Sequence, residues 1–208
     1  MGKESYTRDR TALLFVDPSN DFLSEGGKLW PLVAGVANDV GLLDNLRTIT
    51  AAVRTAGIRV CIVPPRRWEP GDYAHWDHAT PYQVASGTMQ TFARGAWGGE
   101  WHPDFAPQPG DILVKEHWGG SGFANTDLDF RLKQQGIIQV IVIGLLANMC
   151  IETTSRFAVE LGSHVTLVTD ATAAFSQEMM HAAHALNGPT FAHAIVTTTA
   201  LVAALPHA

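Results

Sequence analysis

The sequence predicts an α/β fold: a three-layer αβα sandwich around a six-stranded, mostly parallel sheet with the Rossmann-like strand order 3-2-1-4-5-6. Short apolar runs rich in β-branched residues alternate with segments of helical period. The runs lack an alternation of apolar and polar residues, which is typical of strands buried on both faces of a parallel sheet. Strand–helix alternation and right-handed crossovers leave few other topologies. The 208 residues, 46% of them hydrophobic, suit one domain spanning 1–208.

The first elements are predicted from apolar runs and from the residues that stop them. The run TALLFVD at 11–17 is a buried strand that ends on an acid, and residues 18–31 are irregular because they hold two prolines and a Gly-Gly pair. Apolar residues at intervals of three and four predict a helix over 38–56, closed by Gly57. A second strand, 58–64, ends at Pro64-Pro65.

Residues 66–108 show no sustained periodicity. They contain four of the six tryptophans, and short helical turns are expected near 81–93. Long segments without regular elements are uncommon in compact domains and often serve as lids or binding loops. We therefore expect this segment to form the wall of a pocket.

The second half repeats the strand–helix alternation four times. The predicted strands are 111–118, 137–143, 164–170 and 193–197. The predicted helices are 126–136, 148–161, 177–187 and 198–205.

Composition narrows the class of protein. A net charge of -6 argues against nucleic acid and anionic membranes as partners, because both attract basic surfaces. Two cysteines are too few for a disulfide framework and suit a reducing compartment. The start of the chain is polar and no apolar run approaches 18 residues, so a cytoplasmic protein without a membrane span is expected.

Three reactive side chains lie at predicted strand ends: Asp17, Lys115 and Cys150. The carboxyl ends of parallel strands share one edge of the sheet, where such folds place their sites. Cys150 also begins a predicted helix, and a helix amino terminus favours a thiolate. A carboxylate and a cation beside a thiol form an activated nucleophile. In the alternative interpretation, Asp17 and Lys115 cap strand ends and Cys150 is a small buried residue.

Three sequence blocks carry a resemblance to a known family. DPSNDF at 17–22, VKEHWGGSGFANTDL at 114–128 and GLLANMC at 144–150 resemble the signature blocks of the isochorismatase-like cysteine hydrolases. This family includes nicotinamidases, N-carbamoylsarcosine amidases, ureidoacrylate and biuret hydrolases, and isochorismatases. The blocks occur in the family's order, and the similarity covers nearly the whole chain.

The resemblance implies a role for each of these residues. Cys150 is the implied nucleophile, Asp17 the acid and base, and Lys115 the cation that orients Asp17. A cis peptide bond is implied between Leu145 and Leu146. The backbone N–H groups of Leu146 and Cys150 would then form the oxyanion hole.

The implied activity is cleavage of a C–N bond, an amide or a ureide, in a small non-peptide substrate through a thioester on Cys150. Two alternatives remain open. One is vinyl ether hydrolysis of the isochorismatase type, which uses the aspartate as an acid and needs no cysteine nucleophile. The other is a catalytically silent protein used for binding or assembly. No cofactor is implied, and a homo-oligomer, a dimer or tetramer, is expected.

Aromatic residues are expected to line the substrate pocket. Phe22 follows Asp17 by five residues and matches a family pocket aromatic, Trp118 and Phe123 are placed on the same edge, and Trp97 is expected to contribute from the long segment 66–108. Such walls exclude water and hold a small flat acyl group. Arg94 is a candidate for binding a substrate carboxylate.

No metal is expected, although nicotinamidases bind one. Asp72, His75 and His78 are suitable zinc ligands by type, but their spacing differs from the compact pattern of that family. Two further departures, Ala147 and Ser19, stand where relatives often have a hydroxyl residue and a glutamine. Both bear on substrate specificity.

Overall fold

A computed structural model describes residues 5–206 and contains one six-stranded sheet in which every strand runs parallel. The strand order is β3-β2-β1-β4-β5-β6, which confirms the predicted order and class. The strands are β1 (Thr11–Val16), β2 (Arg59–Val63), β3 (Ile112–Leu113), β4 (Gln139–Leu145), β5 (His164–Ala173) and β6 (Ala194–Val196).

The described part of the chain contains eight α-helices. They are α1 (Asn20–Leu23), α2 (Trp30–Val40), α3 (Leu42–Thr55), α4 (Pro81–Met89), α5 (Leu128–Gln134), α6 (Glu152–Glu160), α7 (Gln177–His181) and α8 (Thr198–Ala204). Apolar residues of α2, α3 and α8 join the core on one face, and those of α5 and α6 join the core on the other. Between residues 5 and 206, no helix has the length and apolar content needed to cross a bilayer.

The central strand β1 explains why the apolar runs lack alternation. All six of its residues are buried. Leu13 and Phe15 belong to one core, and Leu14 and Val16 belong to the other. A strand covered on both faces favours apolar side chains at successive positions, as is typical of parallel sheets.

The single helix predicted over 38–56 is wrong, because Gly41 divides this region into α2 and α3. Gly41 adopts a left-handed conformation with φ 66°, and its N–H bonds the last carbonyls of α2. This is the usual way in which glycine ends a helix. The helix α2 also begins earlier than expected, inside the segment predicted as irregular, with Pro31 in its first turn.

The edge strand β3 is much shorter than the predicted strand 111–118. It pairs with β2 at Cys61–Ile112 and Ile62–Leu113, and the next bridge joins Pro65 to His117. An unbroken register would have placed residue 116 opposite Pro65, so the edge segment holds one extra residue. The facing residues Pro64 and Pro65 have no N–H to donate, which interrupts the ladder at this point.

The helix predicted over 148–161 begins with a wider turn. Residues Ala147–Ile151 form a π-helical turn, and α6 follows directly. The helix predicted over 177–187 likewise continues from α7 into a π-helical turn, Ala182–Asn187. Such wide turns are frequent at functional sites.

Gly144 pairs with Val16 at the carboxyl end of β1 and β4. Its φ is +113°, and a Cβ built there would lie 2.0 Å from the carbonyl oxygen of Val16. No side chain fits this position unless the two central strands separate.

We expect Gly144→Ala to lower the free energy of unfolding by more than about 2 kcal/mol, because it combines a left-handed backbone with a clash against Val16. The matched control is Gly35→Ala. Gly35 lies inside α2 with open space around it, so alanine there should raise stability by about 0.5–1 kcal/mol. Urea unfolding measures both. Equal stability of the Gly144→Ala protein and the unchanged protein would contradict this account of the contact.

Candidate active site

Three buried side chains meet at the carboxyl edge of the sheet: Asp17, His117 and Cys150. Asp17 follows β1, Cys150 lies in the turn after β4, and His117 stands beyond β3. The Asp17 carboxylate, an imidazole nitrogen of His117 and the Cys150 sulfur all lie within 4.8 Å of one another. A base, a potential cation and a nucleophile are thus in mutual reach.

The backbone of Asp17 directs its carboxylate into this cluster. Asp17 has φ 60°, a left-handed conformation that aspartate tolerates better than most residues. Its N–H donates to the carbonyl of Val63 at 2.9 Å, and its own carbonyl accepts from the N–H of Ser19 at 2.8 Å. The chain therefore turns sharply at the strand end and leaves the side chain facing His117 and Cys150.

His117 is fixed on both sides of its ring. Nε2 lies 2.8 Å from Oδ1 of Asp17, and Nδ1 lies 2.5 Å from the carbonyl oxygen of Gly119. The side chains of His117 and Asp17 are 2% and 1% exposed. Burial alone would lower the pKa of His117, but the charge and hydrogen bond of Asp17 outweigh burial and raise this pKa above its ordinary value.

The thiol of Cys150 is held by the turn that follows β4. The Leu145–Leu146 peptide bond is cis, as the resemblance implied. Burial, followed by the Asp17 carboxylate, raises the pKa of the thiol well above its ordinary value, whereas the N–H groups of Leu146 and Cys150 act in the opposite direction. The resting thiol is therefore protonated, with a proton acceptor on one side and two backbone donors on the other.

The predicted place of Lys115 in this site is wrong. Lys115 is exposed, and its backbone N–H donates to Asp127 at 2.8 Å. Within residues 5–206, no ion pair joins Lys115 to Asp17; the partner of Asp17 is His117. Residue 115 is exposed, like residue 113 two positions before it, and the extra residue in the edge segment brings residue 117 inward.

A cavity of about 30 Å³ lies over Asp17, His117 and Cys150, room for roughly one water molecule. Beside it runs an open groove of about 540 Å³, and Gln83 and Trp118 line both spaces. The walls come mainly from the long segment after β2 and from α4. They comprise Pro65, Arg66, Tyr73, Tyr82, Gln83, Ser86, Phe92, Trp118 and Gly119.

Of the four aromatic residues predicted for the pocket, Trp118 lines the cavity. Phe22 is 1% exposed and packs under the wall, with its ring centroid 5.1 Å from that of Phe92. Phe123 belongs to the core on the opposite face, and Trp97 lines a different groove. Phe22, Phe123 and Trp97 therefore lie outside the cavity over Cys150.

The cavity mouth carries a cluster of ion pairs. Arg66 bonds Asp72, Glu69 and Glu116 at 2.9–3.2 Å and stacks 4.5 Å from the ring of Trp118. Arg94, predicted as a candidate for binding a substrate carboxylate, is bound to Glu69 and Glu116 instead. These guanidinium groups are therefore already paired within the protein.

The three residues considered as metal ligands do not converge. Both oxygens of Asp72 accept from Arg66, while His75 and His78 are exposed. The absence of a metal remains a prediction.

In the part of the chain that the structure describes, the group with ligand atoms near enough to share an ion is Asp17, His117 and Cys150. Both nitrogens of His117 already take part in hydrogen bonds. An ion here would have to replace the contact between Asp17 and His117.

Sequence reasoning considered His117 only as a possible polar contact and did not place it beside Asp17, and it missed the wall residues Tyr73, Tyr82 and Phe92. The Pro64-Pro65 pair opposite the edge segment was a signal that period-two alternation could fail there. The wall residues carry no such signal, because their segment has no period and its folding depends on contacts distant in sequence. One of these contacts joins the carboxylate of the buried Asp21 to the N–H of Phe92 at 2.6 Å.

Comparison with known proteins finds similar chains over most of the sequence. A family model described as the Isochorismatase domain matches residues 11–200. The chain is 30% identical over 198 residues to the ureidoacrylate amidohydrolase RutB of Pantoea ananatis, covering 89% of this chain and 78% of that protein. It is 31% identical over 193 residues to RutB of Stutzerimonas stutzeri, covering 87% and 77%.

Solved structures share the fold over almost the entire length. A cysteine hydrolase from Pseudomonas syringae pv. phaseolicola superposes with a TM-score of 0.79 at 26% identity, covering 97% of this chain and 95% of that one. The N-carbamoylsarcosine amidase of Thermoplasma acidophilum gives a TM-score of 0.69 at 26% identity, covering 91% and 96%.

We expect Asp17→Asn to lower the pKa of the Cys150 thiol, because it removes the negative charge that opposes the thiolate. Thiolate absorbance at 240 nm, titrated in a Cys61→Ala background, reports this ionisation. The same titration of a protein that also carries Cys150→Ala is the control for tyrosine absorbance. An unchanged or higher midpoint in the Asp17→Asn protein would contradict the proposed coupling.

Proposed function

Since the chain belongs to the isochorismatase family, we propose that it is a cysteine hydrolase that cleaves a C–N bond, an amide or ureide, in a small non-peptide substrate. The observation that carries this proposal is the buried cluster of Asp17, His117 and Cys150, with its reactive atoms within 4.8 Å of one another. A thiol beside a carboxylate and under a small cavity is the arrangement that nucleophilic catalysis needs.

In the first half of the reaction, the sulfur of Cys150 attacks the carbonyl carbon of the substrate while Asp17 takes the thiol proton. The raised pKa of the thiol means that the proton has to leave during the attack, and the adjacent carboxylate is its acceptor. The C–N bond then breaks, and Asp17 returns the proton to the leaving nitrogen. The products are a thioester on Cys150 and a free amine or ammonia.

In the second half, water attacks the thioester carbon. Asp17 now removes a proton from the water, the C–S bond breaks, and the thiol of Cys150 regains the proton. The acid product leaves, and the enzyme returns to its starting state. One water molecule is consumed for each C–N bond cleaved.

Each attack places negative charge on the carbonyl oxygen. The N–H groups of Leu146 and Cys150 both act on the sulfur position, so they are our proposed donors to this oxyanion. Preset donors in a dry site stabilise developing charge strongly. Cys150 at 4% exposure and Leu146 at 2% provide such a site.

The substrate class is supported by the names of the relatives. One group hydrolyses ureidoacrylate, and a structural neighbour acts on N-carbamoylsarcosine. A cavity of about 30 Å³ is smaller than such molecules. We propose that substrate enters from the adjoining groove when α4 shifts, because α4 carries Tyr82 and Gln83 of the wall and buries none of its own residues.

The test is turnover of a panel of small amides and ureides by the unchanged protein and by Cys150→Ala. We expect Cys150→Ala to lose at least ~10³-fold in kcat/KM, as happens when a nucleophile is removed. Intact mass after rapid acid quenching should show an acyl adduct on the unchanged protein. Cys61→Ala is the matched control, because Cys61 is buried inside β2 and should leave turnover and adduct in place.

Two results would overturn this proposal. If Cys150→Ala hydrolyses isochorismate as well as the unchanged protein does, and no panel member reacts, the protein is a vinyl ether hydrolase of the isochorismatase type and not an amidohydrolase. If neither protein turns over any compound and no adduct forms, the chain is a binding or assembly member of the family.

A further inference from the structure

We propose that His117, as an imidazolium, is the positioning cation of the site, and that loss of its ring proton switches the site off as the pH rises. This inference rests on the proposed function for its kinetic consequence. The charge state of His117 is a separate matter that needs no substrate.

The hydrogen bonds of the ring require two protons. Nδ1 faces the carbonyl oxygen of Gly119 at 2.5 Å, and a carbonyl oxygen only accepts. Nε2 faces Oδ1 of Asp17 at 2.8 Å, and an ionised carboxylate also only accepts. A neutral imidazole has one N–H, so one of its nitrogens would turn a lone pair toward one of these oxygens.

The surroundings of His117 favour the protonated ring. The titratable and charged groups that share its cavity are Asp17 after β1, Cys150 after β4, Tyr82 on α4, and Arg66 and Tyr73 from the segment after β2. Burial raises the pKa of Cys150, Tyr82 and Tyr73, so these three are neutral near pH 7.

Arg66 is the other cation of this cavity, and three carboxylates already neutralise it. Asp17 is therefore the charge that His117 meets directly. Together they form a buried pair in which each partner satisfies the other.

The pair controls the base that the reaction needs. With the imidazolium in place, one oxygen of Asp17 is held by Nε2 while the carboxylate still faces the thiol. When the ring loses its proton, either the bond to Asp17 or the bond to Gly119 becomes a contact between two acceptors. The carboxylate then loses its fixed orientation toward Cys150.

The sign of the pH dependence follows from the raised pKa of His117. The imidazolium is present below that raised value and is lost as the pH rises through it, so activity should fall on the alkaline side. The stability contributed by the pair is complete below the ordinary histidine pKa of about 6.5 and disappears over the same rise.

The charge state is tested by ¹⁵N NMR of the histidine rings in the Cys150→Ala protein, with His117→Gln used to assign the signal. We expect both ring nitrogens of His117 to be protonated at pH 7, because each faces an acceptor oxygen, and the midpoint of the ring to lie above the ordinary histidine pKa. A neutral ring at pH 7 would overturn the inference, whatever the enzyme hydrolyses.

The kinetic role is tested by the pH profile of kcat/KM for His117→Lys. Lysine stays charged to about pH 10.4 in the ordinary case, so the alkaline limit should move up by about one pH unit or more. His117→Gln, which carries no charge, should lose activity at every pH. An alkaline limit that is the same in His117→Lys and in the unchanged protein would overturn the switch.

Lys115→Met is the matched control, because Lys115 is exposed and unpaired with Asp17. Its pH profile should equal that of the unchanged protein, and a lost or shifted profile would assign the cation to Lys115 instead.

Circular dichroism checks that each variant folds. If His117→Lys does not fold, the NMR titration decides. Absence of turnover with an imidazolium at pH 7 would overturn the proposed function alone.

Discussion

Where β1 and β4 end, the carbonyl of Val16 approaches Gly144 so closely that there is no room for a side chain. Asp17 is the residue directly after β1, and the turn that carries Cys150 begins just after β4. The carboxylate reaches the thiol because the two central strands touch at this point. The N–H groups of Leu146 and Cys150, the proposed oxyanion donors, lie in the same turn, so one backbone contact helps to set the relative positions of Asp17, Cys150 and these groups. Gly144 is buried within the sheet, and its lack of a side chain allows the contact that positions the site.

Electrostatically, the site is built from pairs. Asp17 and His117 form one buried pair. At the cavity mouth, three cations pair with three anions: Arg66, Arg67 and Arg94 with Glu69, Asp72 and Glu116. Buried charges are tolerated when each has a close partner, and removing one partner is strongly destabilising. The path to Cys150 therefore has little net charge, although the chain carries -6. Recognition of a substrate would then depend on shape, aromatic walls and hydrogen bonds rather than on long-range attraction.

The sequence alone predicted the sheet, its strand order and the meeting of Asp17 and Cys150 at one edge of it. Those features depend on local apolar runs and on strand ends, and Asp17 and Cys150 follow long, regular strands. The cis bond at Leu145–Leu146 came from the resemblance and is confirmed. The prediction failed at the edge segment. This segment holds one extra residue opposite Pro64 and Pro65 of the neighbouring strand, and His117 rather than Lys115 contacts Asp17. It also failed for the pocket wall, which folds through contacts distant in sequence, such as Asp21 with Phe92.

The helix α4 covers the site yet buries none of its own residues. Its amino terminus is held by a capping box between Thr80 and Gln83, and behind it lies an apolar cavity of about 140 Å³. Such an element opens at little cost, because few buried apolar contacts are broken. The apparent affinity is then the intrinsic affinity multiplied by the fraction of molecules in which α4 is open. If roughly one molecule in a hundred were open, apparent binding would be ~100-fold weaker. Mutations on the outer face of α4 would thus change the Michaelis constant without touching any group that contacts the substrate.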